Sequence, residues 1–131
     1  MTDRPTPRSW TTAELDAVET TDEVAITSRR PDGSLRPFVT IWAVRVGDGV
    51  YVRSAYGPAN GWFARATAAG VGAIRVGETV ADVRFEVPES TVHDSIDAAY
   101  HAAYDRHGPQ IVGTVVGPAV RAVTLRLVPT T

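Results

Sequence analysis

The spacing of apolar residues along the chain predicts a mainly β domain with peripheral helices. In Glu23–Arg29, Val24 and Ile26 alternate with Ala25 and Thr27. In Thr79–Val87, Ala81, Val83, Phe85 and Val87 alternate with Val80, Asp82, Arg84 and Glu86, the period of a strand with one face inward. Ala73–Val76 and Val120–Val128 read as further strands, the latter with Val123, Leu125 and Leu127 on one side. Phe38–Val46 and VYVRS, joined by the tight turn Gly47-Asp48-Gly49, form a central hairpin. Its first arm is apolar on both faces, as expected inside a closed barrel rather than on an open sheet.

Helical spacing appears in three places. Thr11 and Glu14 form a capping box, with Trp10 and Leu15 as a hydrophobic staple, and open a helix to about Glu19. Trp62–Ala69 is a short Ala-rich helix ended by Gly70. After Pro88, Ser90 or Thr91 caps a helix that runs to about His107, with Ile96, Ala99, Tyr100, Ala103 and Tyr104 on its apolar face. Gly108-Pro109 breaks it, and residues 110–118 fit a short helix or a loop equally well. Pro31-Asp32-Gly33-Ser34 and Gly47-Asp48-Gly49 are turns. About six short strands joined by glycine turns favour a small antiparallel barrel; an open α+β sandwich is the alternative. Residues 1–9 read as a flexible tail, and residues 10–131 as one domain.

Composition narrows the chemistry. The net charge of -2, without blocks of like charge, makes nucleic acid and anionic membrane surfaces disfavoured partners. All 13 basic residues are arginine, so a lysine Schiff base is excluded and arginine is the only strong anion clamp. Cysteine is absent, which removes disulfides, thiolate nucleophiles and sulfur-ligated metal. His93, His101 and His107 lack the i, i+4 spacing of a two-imidazole metal site, and read as exposed or capping. Asp94 and Asp97 suit the first turn of a helix better than acid–base work. There is no G-x-S-x-G elbow and no Walker loop. The start has no apolar run of signal-peptide length and no stretch approaches a membrane span, so a cytoplasmic protein is expected.

The strongest candidate site is where the hairpin gives way to the second helix. Arg53 and Ser54 end the strand; Tyr56, Asn60 and Trp62 follow on the loop and helix start. A guanidinium, a hydroxyl, small residues and aromatics at a helix N-terminus suit an anionic aromatic ligand. Arg36 and Thr40, with Trp42, are placed to flank the same ligand from the preceding strand. The plainer readings are a strand arginine paired with a carboxylate, a core tryptophan at Trp42, and ordinary strand residues at Arg36 and Thr40. Tyr56, Tyr100 and Tyr104 are candidate general acids; Tyr100 and Tyr104, one helical turn apart, are equally readable as packing residues.

The segments W-x4-L-D, T-I-W-x-V-R-V-G-D-x-V-Y-V-R-S, G-x-x-x-x-W, I-R-V-G, D-V-x-F-E, I-D-A-A-Y and T-L-R-L-V-P, spread from Trp10 to Pro129, resemble a bacterial family of unknown function, number 2255. Through it the chain resembles the flavin-binding split β-barrels, which include pyridoxamine-phosphate-oxidase-like proteins and deazaflavin-dependent nitroreductases. The resemblance implies a six-stranded antiparallel split β-barrel, a homodimer, and an FMN or deazaflavin coenzyme in a groove at the subunit interface. It implies an oxidoreductase acting on a small organic substrate; the alternative is a non-catalytic small-ligand-binding or dimerisation module on the same barrel with no redox cofactor. The family's strand–loop–helix segment matches Tyr51–Gly57 with Trp62. No lysine follows Ser54, so Arg53 is the basic residue that the resemblance offers to a phosphate.

Overall fold

Thr11 starts the first helix as its sequence predicts. Its Oγ1 accepts the Glu14 N–H at 3.1 Å, and the Glu14 carboxylate accepts the Thr11 N–H at 2.9 Å. The computed structural model describes residues 6–21, 24–55, 57 and 60–131. Helix α1 (Thr12–Thr20) buries Leu15 and Val18 against the sheet. Residues 7 and 8, just before Trp10, are fastened to the domain. Pro7 bridges to Thr130, and Arg8 forks onto the Glu14 carboxylate with two 2.8 Å bonds.

Seven strands form one antiparallel sheet: β1 (Val24–Ser28), β2 (Val39–Thr40), β3 (Ala43–Val46), β4 (Gly49–Arg53), β5 (Val71–Val76), β6 (Thr79–Glu86) and β7 (Thr124–Pro129), in the spatial order β2-β1-β5-β6-β7-β4-β3. The count differs from the expected six because the predicted strand Phe38–Val46 divides. Its first part, β2, pairs with β1 at one edge; its second, β3, pairs with β4 at the other. Only Ile41 and Trp42 separate them, so the sheet curls until its two edges are joined by one continuous stretch of chain. This is how an antiparallel sheet limits its exposed edges without a full barrel ladder. The two-faced apolar character of this arm follows. Ala43 packs with Val50 and Val52 in the larger core, whereas Val44 and Tyr51 face the smaller one.

The larger core lies under α1 and α2 (Gly61–Ala69), with Ile26, Ile74, Val83, Leu125 and Leu127 from the sheet. Gly70 ends α2 at φ +74, the left-handed conformation that glycine adopts without a Cβ clash. The smaller core lies between β3–β4 and α3 (His93–Tyr104). Ile96, Tyr100 and Tyr104 supply the buried face of α3, as its periodicity predicts. Neither Ser90 nor Thr91 caps this helix; a 3-10 turn at Ser90–Val92 leads into it instead. Val87, placed inward by strand alternation, is 87% exposed, because the ladder of β6 ends at Glu86.

Residues 109–123 combine both readings of the ambiguous stretch. A single helical turn α4 (Pro109–Val112) is followed by irregular chain and a 3-10 turn at Pro118–Val123, so β7 starts later than Val120. Among the described residues no helix is long and apolar enough to cross a membrane.

Candidate functional site

The junction that joins the sheet's two edges also forms one side of a groove of about 410 Å³. Val39, Thr40, Ile41 and Trp42 line it from the junction, Ala55, Asn60 and Trp62 from the approach to α2, and Ile111, Thr114 and Val115 from the segment after α3. Arg53 lies in its floor. The fold thus brings together five of the residues singled out in the sequence: Thr40, Trp42, Arg53, Asn60 and Trp62. Trp42 is half-buried, and its ring stacks on Tyr104 at 4.2 Å with 5° between planes. Asn60 precedes α2 with its side chain making no capping bond.

Beyond Val39 and Trp62 the groove meets a narrow recess lined by Thr27, Arg36, Arg65 and Ala66 among others. That recess shares Arg36 and Arg65 with an open depression of about 570 Å³ that also has Arg29 and Arg30 on its walls. An aromatic slot therefore leads, along one side of α2, to four arginines. Two are already engaged: Arg29 with Asp82 and the Gly33 carbonyl, Arg30 with the Leu35 carbonyl and Ser34. Arg65 folds back over the first turn of α2, with Nη1 2.8 Å from where a Cβ on Gly61 would stand. Arg36 is the informative one. Its Nε is buried and has no hydrogen-bond partner among the described residues. A buried donor left unpaired is unfavourable by about 1–3 kcal/mol, and an arriving acceptor removes that penalty.

Arg53 has the opposite character. Strand alternation puts it on the same face as Tyr51, toward α3, and its side chain is fully buried. Nε donates to Thr124 Oγ1 at 3.0 Å, its cross-strand neighbour. Nη1 donates to the Val115 carbonyl at 2.9 Å and to the Asp97 carboxylate. Nη2 donates to the His93 carbonyl at 3.3 Å and lies equally near the His93 ring. Each nitrogen of this guanidinium thus already has an acceptor inside the protein. Ser54 is also turned inward: its hydroxyl donates to the Gly57 carbonyl at 2.7 Å, and it does not line the groove.

Tyr100 and Tyr104 are packed away rather than presented to a substrate. Their hydroxyls donate to the Trp42 and Ala43 carbonyls, each at 2.8 Å. Burial raises the Tyr100 phenol far above its ordinary range, so it stays neutral. Tyr56 lies outside the described residues.

Asp97 and His93 are the residues the sequence reading passed over. They are four apart on α3, on the side that carries Tyr100 and Tyr104, so both meet Arg53, His93 buried and Asp97 partly open to solvent. Asp97 stands past the first turn, where helix-dipole reasoning does not reach; Asp94 does occupy that turn and pairs with Arg121. A carboxylate at helical spacing from a buried aromatic pair was the available signal. Burial works against the Asp97 charge, but bonds from Arg53 and the Gly117 N–H, with the charges of Arg53 and Arg121, hold its pKa below the ordinary value. His93, the first residue of α3, is 8% exposed, so of the two readings, exposed or capping, the exposed one does not hold. Desolvation, then the charges of Arg53 and Arg121, push its pKa down and favour neutral imidazole. Among the described residues, no three histidine, cysteine or acidic side chains gather as a metal site.

Solved structures of similar shape were found. A putative pyridoxamine 5'-phosphate oxidase from Listeria innocua superposes with a TM-score of 0.61 at 13% identity, over 89% of this chain and 90% of that one. A FAD-binding protein from Mesorhizobium loti gives 0.53 at 20% identity, over 95% and 93%. An F420 reductase gives 0.51 at 21% identity, over 88% and 90%. Identities this low carry the fold and not the function; the fold is that of the flavin-binding split barrels. Among curated proteins none matches the chain. The sequence model of a family described as uncharacterized proteins conserved in bacteria, family 2255, matches residues 14–127, and the chain belongs to that family.

Proposed function

We propose that the groove binds a flavin-type cofactor, FMN or a deazaflavin coenzyme, and that the protein is an oxidoreductase for a small organic substrate, working as a homodimer. The observation that carries this reading is the buried, unpartnered Arg36 Nε at the neck between an aromatic slot and a basic depression. A planar ring with an anionic tail satisfies both halves at once. Trp42 and Trp62 supply flat apolar contact for the ring, while Thr40 and Asn60 supply polar atoms at its edge. Arg36 and Arg65 hold the anionic end, with Arg36 gaining the acceptor it lacks. The groove's volume lies within the ordinary range for small-ligand sites.

Such a cofactor supplies hydride transfer, and the protein's part is to bind it, orient it and exclude water. The likeness to a FAD-binding protein and an F420 reductase supports the flavin-type reading at the level of fold.

The test is a titration of tryptophan fluorescence with FMN and, separately, with the deazaflavin. Saturable binding at micromolar or lower concentration is expected, weakened at least about tenfold in Arg36→Ala, one charge-assisted contact. Absence of binding to either by the folded protein refutes the reading.

A second reading, binding without catalysis, is favoured by one observation. Among the described groove-lining residues there is no acid, and the two helix tyrosines donate elsewhere. It predicts tight cofactor binding with no turnover when the reduced cofactor is offered a panel of hydride acceptors.

A further inference from the structure

We infer that Arg53 and Asp97 are positioning residues that latch one wall of the groove, the segment from Pro109 to Gly117, in place. The wall contributes Ile111, Thr114 and Val115 to the groove, yet its backbone bonds are almost all short-range. Val112, Gly113, Thr114 and Val115 each donate to a carbonyl no more than four residues back. Such a segment has little intrinsic stability, since one turn of helix is below the length that holds itself in water. Among the described residues, two longer-range bonds fasten it to the rest of the protein. The Val115 carbonyl accepts from Arg53 Nη1 at 2.9 Å, and the Gly117 N–H donates to the Asp97 carboxylate at 3.3 Å. Arg53 and Asp97 are themselves paired, so strand, helix and wall meet at one ion pair.

The apolar side of the wall does not make these bonds redundant. Val112 and Val115 pack beside Ile96, Tyr100 and Tyr104, which fixes the depth of the segment. Contact between apolar surfaces is non-directional, so it leaves the segment free to slide along α3. The two directional bonds at residues 115 and 117 fix its register, and with it the distance from Thr114 and Ile111 to Trp42 and Trp62 across the groove. Arg53, which also lines the floor, thereby acts on the groove's occupant through the wall.

The experiment is amide hydrogen exchange under native conditions on the full chain, comparing Arg53→Met and Asp97→Ala with Thr124→Val. Thr124 bonds Arg53 Nε and the Val120 carbonyl but neither Asp97 nor residues 109–117, so its loss reports the structural contribution of anchoring the buried arginine apart from the two bonds to the wall. Expected is exchange about tenfold faster in residues 111–117 of the two latch variants, in excess of any change in β4 and β7. Thr124→Val is expected to leave the wall as protected as in the parent. A uniform rise across wall and strands, an equal rise in Thr124→Val, or no rise at all would each overturn the latch. Should the two larger changes prevent folding, Asp97→Asn keeps the shape and removes the charge, and a smaller rise confined to the same residues is then required.

A second arm rests on the proposed cofactor binding: FMN release about tenfold faster in the latch variants, with Arg36 intact. The exchange arm needs no ligand, so a protein that binds no flavin leaves the latch tested on its own.

Discussion

Removing Asp97 is expected to destabilise the protein more than removing Arg53, although both changes break the same ion pair. The reason is unequal burial. The Arg53 side chain is completely buried, whereas the Asp97 side chain retains 24% exposure. Asp97→Ala strands a guanidinium in the interior, where three neutral acceptors remain: Thr124 Oγ1 and the Val115 and His93 carbonyls. Breaking a buried pair costs about 3–5 kcal/mol, and those acceptors place the loss near about 3–4. Arg53→Met leaves a carboxylate that reaches water and keeps the Gly117 N–H, while the methionine fills much of the space. That loss is expected near about 2 kcal/mol, mostly from hydrogen-bond acceptors left without donors. The double variant is expected to be no worse than Asp97→Ala alone, because no charge is then stranded. Urea unfolding followed by far-UV circular dichroism and tryptophan fluorescence measures all three. Against a total stability of about 5–15 kcal/mol these differences are readily resolved. An Arg53→Met loss larger than that of Asp97→Ala, or losses below about 1 kcal/mol for both, refutes the unequal-burial argument.

Stability is expected to fall on acidification in two stages. His93 has a lowered folded-state pKa, so below its ordinary value of 6.5 the unfolded chain takes up the proton first and is favoured. The carboxylates act lower. Arg8 holds Glu14 down, against burial, at about 2 from 4.5, and Asp97 is depressed in the same direction. Their contributions are present above the ordinary carboxylate values and disappear as pH falls through the folded ones. A melting-temperature profile shows both stages, and His93→Gln is expected to abolish the one that starts near pH 6.5. Arg36→Met is expected to leave stability unchanged or raised, since its buried Nε has no partner to lose; a clear drop in melting temperature would show that the pocket arginine is structural. Gly72→Ala puts a Cβ 2.0 Å from the Thr27 carbonyl oxygen on the neighbouring strand. Two backbones cannot separate without breaking the β1–β5 ladder, so a loss of at least about 3 kcal/mol is expected by chemical denaturation. Thr11→Ala removes the capping bond of α1 and is expected to lose about 1 kcal/mol by the same assay.

The sequence by itself determined what depends on neighbours along the chain. The capping box at Thr11, the glycine stop at Gly70, the turn at Gly47 and the apolar face of α3 were all legible, because each is a local bond or a periodicity. So was the two-faced strand of the hairpin, and with it a sheet that curls toward a barrel. Only the tertiary structure decided that the arm Phe38–Val46 changes edge at Ile41–Trp42, since edge pairing depends on partners far away in sequence. It also decided the two arginines in opposite senses. Arg53 was singled out because it ends a strand beside a loop, a context that says nothing about which element covers its face. Packing of α3 brought Asp97 and His93 over it and engaged its donors inside the protein. Arg36 had only its position on the preceding strand to recommend it. The junction, α2 and the turn before β2 together buried its Nε and left it without a partner, and that is a property no single stretch of sequence contains.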